Sequence, residues 1–207
     1  MCSSDLVPLF LTAEDGEEGP MGPPGTGSGG GGVGTYFDPV TWNGSTDRVL
    51  GVGQHTSDSF TAATSIPLHI ACGDGQEYEI ELNGTFTASA FGADCALNVN
   101  NATLAGNFRQ DYIQWIGATL SSISTTAALA GFPLQYGSSI YQAKYTICTS
   151  TSTKSISGQS KGQSTTYGVI NYIQAIESLD TTTVWSSLGT IAMPNAWTGS
   201  VVVKRIA

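Results

Sequence analysis

The sequence predicts an all-β protein: an antiparallel β-sandwich or jelly-roll-like head domain preceded by an extended N-terminal arm. Three observations point there. From residue 36 onward, short runs alternate apolar and polar side chains and are punctuated by Gly, Asn and Ser, the pattern of half-buried strands joined by turns. Charged residues make up only 11% of the chain against a hydrophobic share of 40%, so the surface is polar through Ser, Thr, Asn and Gln, a composition that suits many strands and turns. Regular helical segments are missing from the pattern, and many strands without helices imply a sandwich or jelly roll.

The chain divides at a glycine-rich stretch. Gly16, Gly19, Gly22 and Gly25 recur at every third position through Gly16-Glu17-Glu18-Gly19-Pro20-Met21-Gly22-Pro23-Pro24-Gly25. That is the spacing of a collagen triple helix, whose crowded axis admits only glycine. So few triplets cannot hold three chains together alone, which makes the tract the seam of an assembly stabilised elsewhere. The expected organisation is an N-terminal docking peptide over residues 1–15, a collagen-like and Gly-rich linker over 16–34, and a β-sandwich head over 35–207. Leu6, Val7, Leu9, Phe10 and Leu11 form a short apolar plug in an acidic surround. It is either a frayed end or a peptide that enters another protein's groove, having no core of its own.

Within the head the clearest strand is 76–82, with Tyr78, Ile80 and Leu82 on one face and Glu77, Glu79 and Glu81 on the other. Asn83-Gly84 follows, a type I′ hairpin signal, so residues 85–91 are expected to fold back antiparallel. Further strands are expected over 36–42, 49–52, 68–71, 96–100, 140–148, 169–176, 183–191 and 200–206. Residues 108–116 and 169–179 also fit helical spacing, but their β-branched and aromatic content favours strands. Residues 149–166, with Ile156 their one apolar side chain, read as a long exposed loop or hairpin tip. Val201-Val202-Val203 reads as a strand buried on both faces, tying the last residues into the fold.

The formal net charge is -9, and Asp5, Glu14, Asp15, Glu17 and Glu18 lie in an arm that has no Lys or Arg before residue 33. An acidic chain without an aromatic-basic stripe argues against nucleic acid and against anionic membranes. Cys2, Cys72, Cys95 and Cys148 are widely spaced, with no Cys/His pairing at zinc spacing. No secretory leader or membrane-length apolar run is present, which implies reduced, mostly buried thiols in a protein made in the cytoplasm. The glycine tract lacks the lysine of a phosphate loop. No cofactor and no metal are expected.

Catalytic readings are weak. His69, Cys72 and Asp74 share one short strand-turn, whereas nucleophile and base normally converge from separate elements. Glu77, Glu79 and Glu81 lie on one strand face with successive members about 7 Å apart, close to an inverting glycosidase spacing. They point in parallel, however, and a solvent-facing row that discourages edge-to-edge pairing accounts for them. Asn43, Asn83 and Asn101 head glycosylation-like triplets of the kind chance supplies in so polar a chain. Trp42, Trp115, Trp185 and Trp197 are divided between two roles, core packing and an exposed sugar-stacking platform.

The start Val7-Pro8-Leu9-Phe10-Leu11, the acidic lead into Gly19-Pro20-Met21-Gly22-Pro23-Pro24-Gly25, and the ending from Trp185-Ser186-Ser187-Leu188-Gly189-Thr190-Ile191 to Gly199-Ser200-Val201-Val202-Val203-Lys204-Arg205-Ile206-Ala207 resemble the appended fibre and decoration proteins of tailed bacteriophages. The resemblance implies a non-enzymatic homotrimer, a head fibre or capsid decoration protein on the virion surface. It would be anchored to the phage capsid or another virion protein by its N-terminal peptide. The alternative it leaves open is a tail-fibre or receptor-binding head that recognises host-surface carbohydrate.

Overall fold

Nineteen residues of unbroken extended chain, Ser187–Arg205, make the strand on which the rest of the sheet is assembled. In the computed structural model, residues 39–87, 94–100, 102–103, 105–129, 132–133, 140–164, 168–179 and 182–207 are described. The chain divides into two compact units, Met1–Val33 and Gly34–Ala207, and the described residues all belong to the second. The expected docking residues Leu6, Val7, Leu9, Phe10 and Leu11 and the collagen-like glycines Gly16, Gly19, Gly22 and Gly25 lie outside the described residues.

The described residues are all-β and contain no helix. The strands are β1 (Arg48–Val49), β2 (His55–Ala71), β3 (Glu77–Phe86), β4 (Asp94–Val99), β5 (Ala102–Thr103), β6 (Ala105–Ile116), β7 (Thr119–Leu129), β8 (Phe132–Pro133), β9 (Ile140–Cys148), β10 (Ser155–Ser164), β11 (Gly168–Ser178) and β12 (Ser187–Arg205). The main path runs β1-β2-β12-β3-β9-β10-β11-β6-β7, and β4 leaves it to pair with β12, β5 and β8. Every pairing is antiparallel except β1 with β2.

β2 and β12 run beside each other for most of their length, and β12 changes its second neighbour halfway. Its Leu188 to Ala192 segment pairs with β4, and its Trp197 to Arg205 segment pairs with β3. Between them the β2–β12 register shifts, from Ala192↔Ser65 to Trp197↔Ala63 and then to Gly199↔Phe60. Pro194, which cannot donate to a ladder, occupies this irregular stretch. On β2 the compensating bulge carries Ala62 at φ 50°, and the Ala62 N–H donates to Thr198 Oγ1 at 2.9 Å.

The two halves enclose one core. Ile66, Leu68, Ile70, Leu97, Val99, Leu188 and Ile191 belong to the same buried cluster as Tyr78, Ile80, Leu82, Tyr145, Ile147 and Ile156. Tyr141 of β9 lies against Cys95 of β4, a strand it does not pair with, and burial pushes its hydroxyl well above the ordinary tyrosine value. This is the face-to-face contact of a two-layer, sandwich-like packing.

Several expectations are corrected. Asn83-Gly84 is not a turn: β3 runs straight through it to Phe86. Glycine is needed there because an added Cβ would sit 2.5 Å from Trp197 Cε2. The tight two-residue hairpin is instead Gly117-Ala118, with Ile116 opposite Thr119 and Gly117 at φ 58°. Residues 149–166 are not a loop, since β10 occupies Ser155–Ser164 between β9 and β11. The valine run is not buried on both faces: Val201 and Val203 are buried and Val202 is half-buried. β2 begins at His55, much earlier than expected, and β12 at Ser187 rather than 183. Residues 39–42 are not strand, and β1 is limited to two residues. The ambiguous segment 108–116 is strand and so is 169–179 up to Ser178, and the end is stitched in, with Ile206 N–H donating to Glu77 O at 2.8 Å and Glu77 N–H to Ala207 O at 2.9 Å.

Candidate functional site

The face of the β3-β9-β10-β11-β6 sheet that points away from the core carries two adjoining cavities of about 710 and 730 Å³, both lined by Lys144, Gln159 and Ile173. Strand register explains the lining. Direct cross-strand partners place Asn83, Gln142, Lys161, Asn171 and Trp115 in one row, each on the next strand. The following row, two residues along, is Glu81, Lys144, Gln159, Ile173 and Ile113. Neighbouring strands lie about 4.8 Å apart and same-face residues about 7 Å, so the rows form a grid. Its β3-β9-β10 side is polar, and its β11-β6 side sets Trp115, Ile113 and Ile173 beside Asn171 and Asp111.

Local sequence sets this division. Inward positions of β10 are Ile156 and the small residues Gly158, Ser160 and Gly162, with Gly158 lying under Tyr145, while Ser157, Gln159, Lys161 and Gln163 point outward. A Cβ on Gly158 would meet Tyr145 Cα at 2.7 Å and Cδ1 at 2.8 Å. On β11 the outward Val169 and Ile173 are 45% and 47% exposed, a waste of apolar surface unless something is to cover it.

Charge in the groove is partly neutralised. Lys144 Nζ sits 2.9 Å from both Glu79 Oε1 and Glu81 Oε1, and hydrogen bonds to Glu81 and then Glu79 raise it above the ordinary lysine value. The glutamate row therefore faces solvent as expected, but β3 is no edge strand, since β12 and β9 pair with it on either side. Its purpose as an edge guard is corrected accordingly. Two carboxylates held on one ammonium also lack the opposed geometry that glycoside hydrolysis requires.

The other candidate chemistry is dispersed. His69 pairs with Asp47 at 3.5 Å and stacks on Trp42 with ring centroids 3.9 Å apart. Asp74 instead accepts from Thr151 N–H at 2.7 Å. Burial pushes the Cys72 thiol up to about 11, and Tyr78 is its hydrogen-bonding neighbour. A thiol that burial keeps protonated is a poor nucleophile. Among the described residues no three His, Cys, Asp or Glu side chains cluster as metal ligands.

Of the four tryptophans, Trp185 and Trp197 are buried, Trp42 is 43% exposed, and only Trp115 lines the groove. Gln142, Gln159, Lys161 and Asn171 were invisible to sequence reasoning as site residues. The alternation of small and long polar residues in β10 was the signal that could have found them.

These features define a class: an all-β protein built on one long shared strand, with an open, partly aromatic groove on the outer face of its sheet. No family model, no curated protein and no solved structure matches the chain.

Proposed function

We propose that the chain is a non-enzymatic structural protein of a phage virion, a trimeric head fibre or capsid decoration protein exposed on the virion surface. The observation that carries this reading is the junction of two unlike pieces at Val33 and Gly34. An acidic arm with collagen spacing and an apolar plug leads into a β unit whose own last strand is locked into its core. In this arrangement residues 6–11 dock on the capsid, residues 16–34 act as a short tether, and the β unit supplies trimer contacts. Deleting residues 1–15 leaves a folded oligomer that no longer binds particles. Full decoration by the truncated protein overturns the docking role, and a monomeric mass for residues 35–207 overturns the source of trimerisation.

A second reading is favoured by a specific observation, the placement of Trp115 beside amide side chains in an open groove. It makes the β unit a receptor-binding head for host-surface carbohydrate. Aromatic faces stack on sugar C–H faces, while amides donate to and accept from hydroxyls. Saturable glycan binding that is lost on changing Trp115 supports it.

A further inference from the structure

We propose that the groove takes an acidic oligosaccharide, with Lys161 holding its anionic group and Trp115 stacking on a neighbouring ring; this rests on the carbohydrate reading above. Two cations, Lys144 and Lys161, line the 710 Å³ cavity of the groove, and they are not equivalent. Lys144 is already engaged by Glu79 and Glu81 at 2.9 Å each. Lys161 is exposed, and the same-face positions around it are Gln142 and Asn171 across the strands and Gln159 and Gln163 along its own. It therefore has no acidic neighbour there, and an ammonium flanked by four amides is set up to receive an anion from outside.

The amides add the saccharide part of the specificity. The side chains of Gln142, Gln159 and Asn171 make no hydrogen bond among the described residues, so their donors and acceptors remain available to vicinal hydroxyls, which also do both. Trp115 stands two strands from Lys161, about 10 Å away at the usual strand spacing. That separation places the anionic group and the stacked ring on different sugars of one chain.

The head as a whole is acidic, with eleven carboxylates against seven Lys and Arg after residue 33. A long polyanion such as nucleic acid would be repelled beyond this one cation. A saccharide with an isolated charge per repeat avoids that repulsion.

The test uses the full chain on an array of neutral, carboxylated and sulfated oligosaccharides, followed by calorimetric titration of the strongest probe. Binding is expected for acidic members, at least ~10-fold tighter than for their neutral counterparts, and weakening as salt rises. Carboxylated and sulfated arms distinguish the source of the anionic group. Trp115→Ala is expected to abolish binding at concentrations that saturate the parent, with Trp115→Tyr retaining part of it. Trp42→Ala, on the exposed tryptophan outside the groove, changes nothing.

Lys161→Gln is expected to equalise acidic and neutral probes without removing neutral binding. Equal binding of both in the parent chain, or an acidic preference that survives Lys161→Gln, overturns the assignment of Lys161 while leaving carbohydrate recognition standing. Loss of binding in Trp42→Ala but not in Trp115→Ala places the site elsewhere and overturns the groove. No binding by any probe at millimolar concentration overturns both this inference and the carbohydrate reading, and leaves virion attachment to its own test.

Discussion

The indole of Trp197 occupies the space that a side chain on Gly84 would need: a Cβ there would lie 2.5 Å from both Cε2 and Cζ2. Gly199 is equally confined, its Cβ position falling 2.5 Å from Trp197 Cζ2 and 2.6 Å from Gly84 Cα. The two glycines face each other across β3 and β12 as direct partners. They let a fully buried tryptophan lie across the ladder at the point where β12 changes neighbours.

Gly84→Ala and Gly199→Ala are each expected to destabilise the β unit by about 3 kcal/mol, the upper end for overpacking, because backbone as well as indole obstructs the new methyl. Urea denaturation followed by tryptophan fluorescence measures this. Asn83→Ala, in the same dipeptide but with an exposed side chain, is expected to stay within about 0.5 kcal/mol. Comparable losses at both positions would point to a turn rather than to a strand passing under a tryptophan.

β10 gives a second test of the same principle. Gly158→Ala drives a methyl into Tyr145 of β9, at 2.7 Å from Cα and 2.8 Å from Cδ1, and is expected to cost about 1–3 kcal/mol. The neighbouring Gln159→Ala projects into the groove and is expected to be near neutral. A neutral Gly158→Ala would place this segment in a loop and remove one wall of the groove.

These glycines also explain what the sequence could and could not convey. Strands that pack large residues inward, such as Tyr78-Glu79-Ile80-Glu81-Leu82, announce themselves by alternation. β10 packs Gly158, Ser160 and Gly162 inward because Tyr145 fills the space from the next strand, so its contribution to the core is room rather than bulk. Hydrophobic periodicity cannot register room. Asn83-Gly84 misleads for a related reason, since a glycine required by close approach has the same letter as one required by a turn. The all-β class was legible from composition and alternation. The groove was not, because it depends on the order β3-β9-β10-β11-β6, which brings Asn83 and Trp115 into one row from strands distant in sequence.

Cys72 makes alkaline stability pH-dependent. Burial pushes its thiol from 9.0 up to about 11, so the folded chain keeps a proton that the unfolded chain has already released. Stability is therefore unaffected below pH 9 and falls as pH rises from there towards 11. Tyr78, also raised by burial, extends the decline to higher pH. Cys72→Ala is expected to remove the part of the slope that begins near pH 9, whatever it does to absolute stability. At pH 8 the native thiolate fraction is lower than in the unfolded chain by ~100-fold, and alkylation of Cys72 mapped by mass spectrometry should slow accordingly. Native labelling as fast as in denaturant would mean that the thiol is not buried.

Lys144 is the cation that keeps Glu79 and Glu81 compatible on one strand face. Its side chain is 51% exposed, so the pairing is screened and each contact is weak. Lys144→Met is expected to lower stability by up to about 1 kcal/mol at low ionic strength, with much of the loss disappearing in 1 M salt. Adding Glu79→Gln and Glu81→Gln to Lys144→Met removes the exposed repulsion and should restore stability at low salt. The sign with pH follows from the raised lysine. Its contribution is complete below the ordinary value of 10.5 and is lost only as pH climbs through the higher folded-state value. Between pH 7 and 10 the parent and Lys144→Met should therefore differ by a constant amount. A difference near zero at low ionic strength would mean that the ammonium is not held by its two carboxylates, and that Lys144 is as free as Lys161 to meet a ligand.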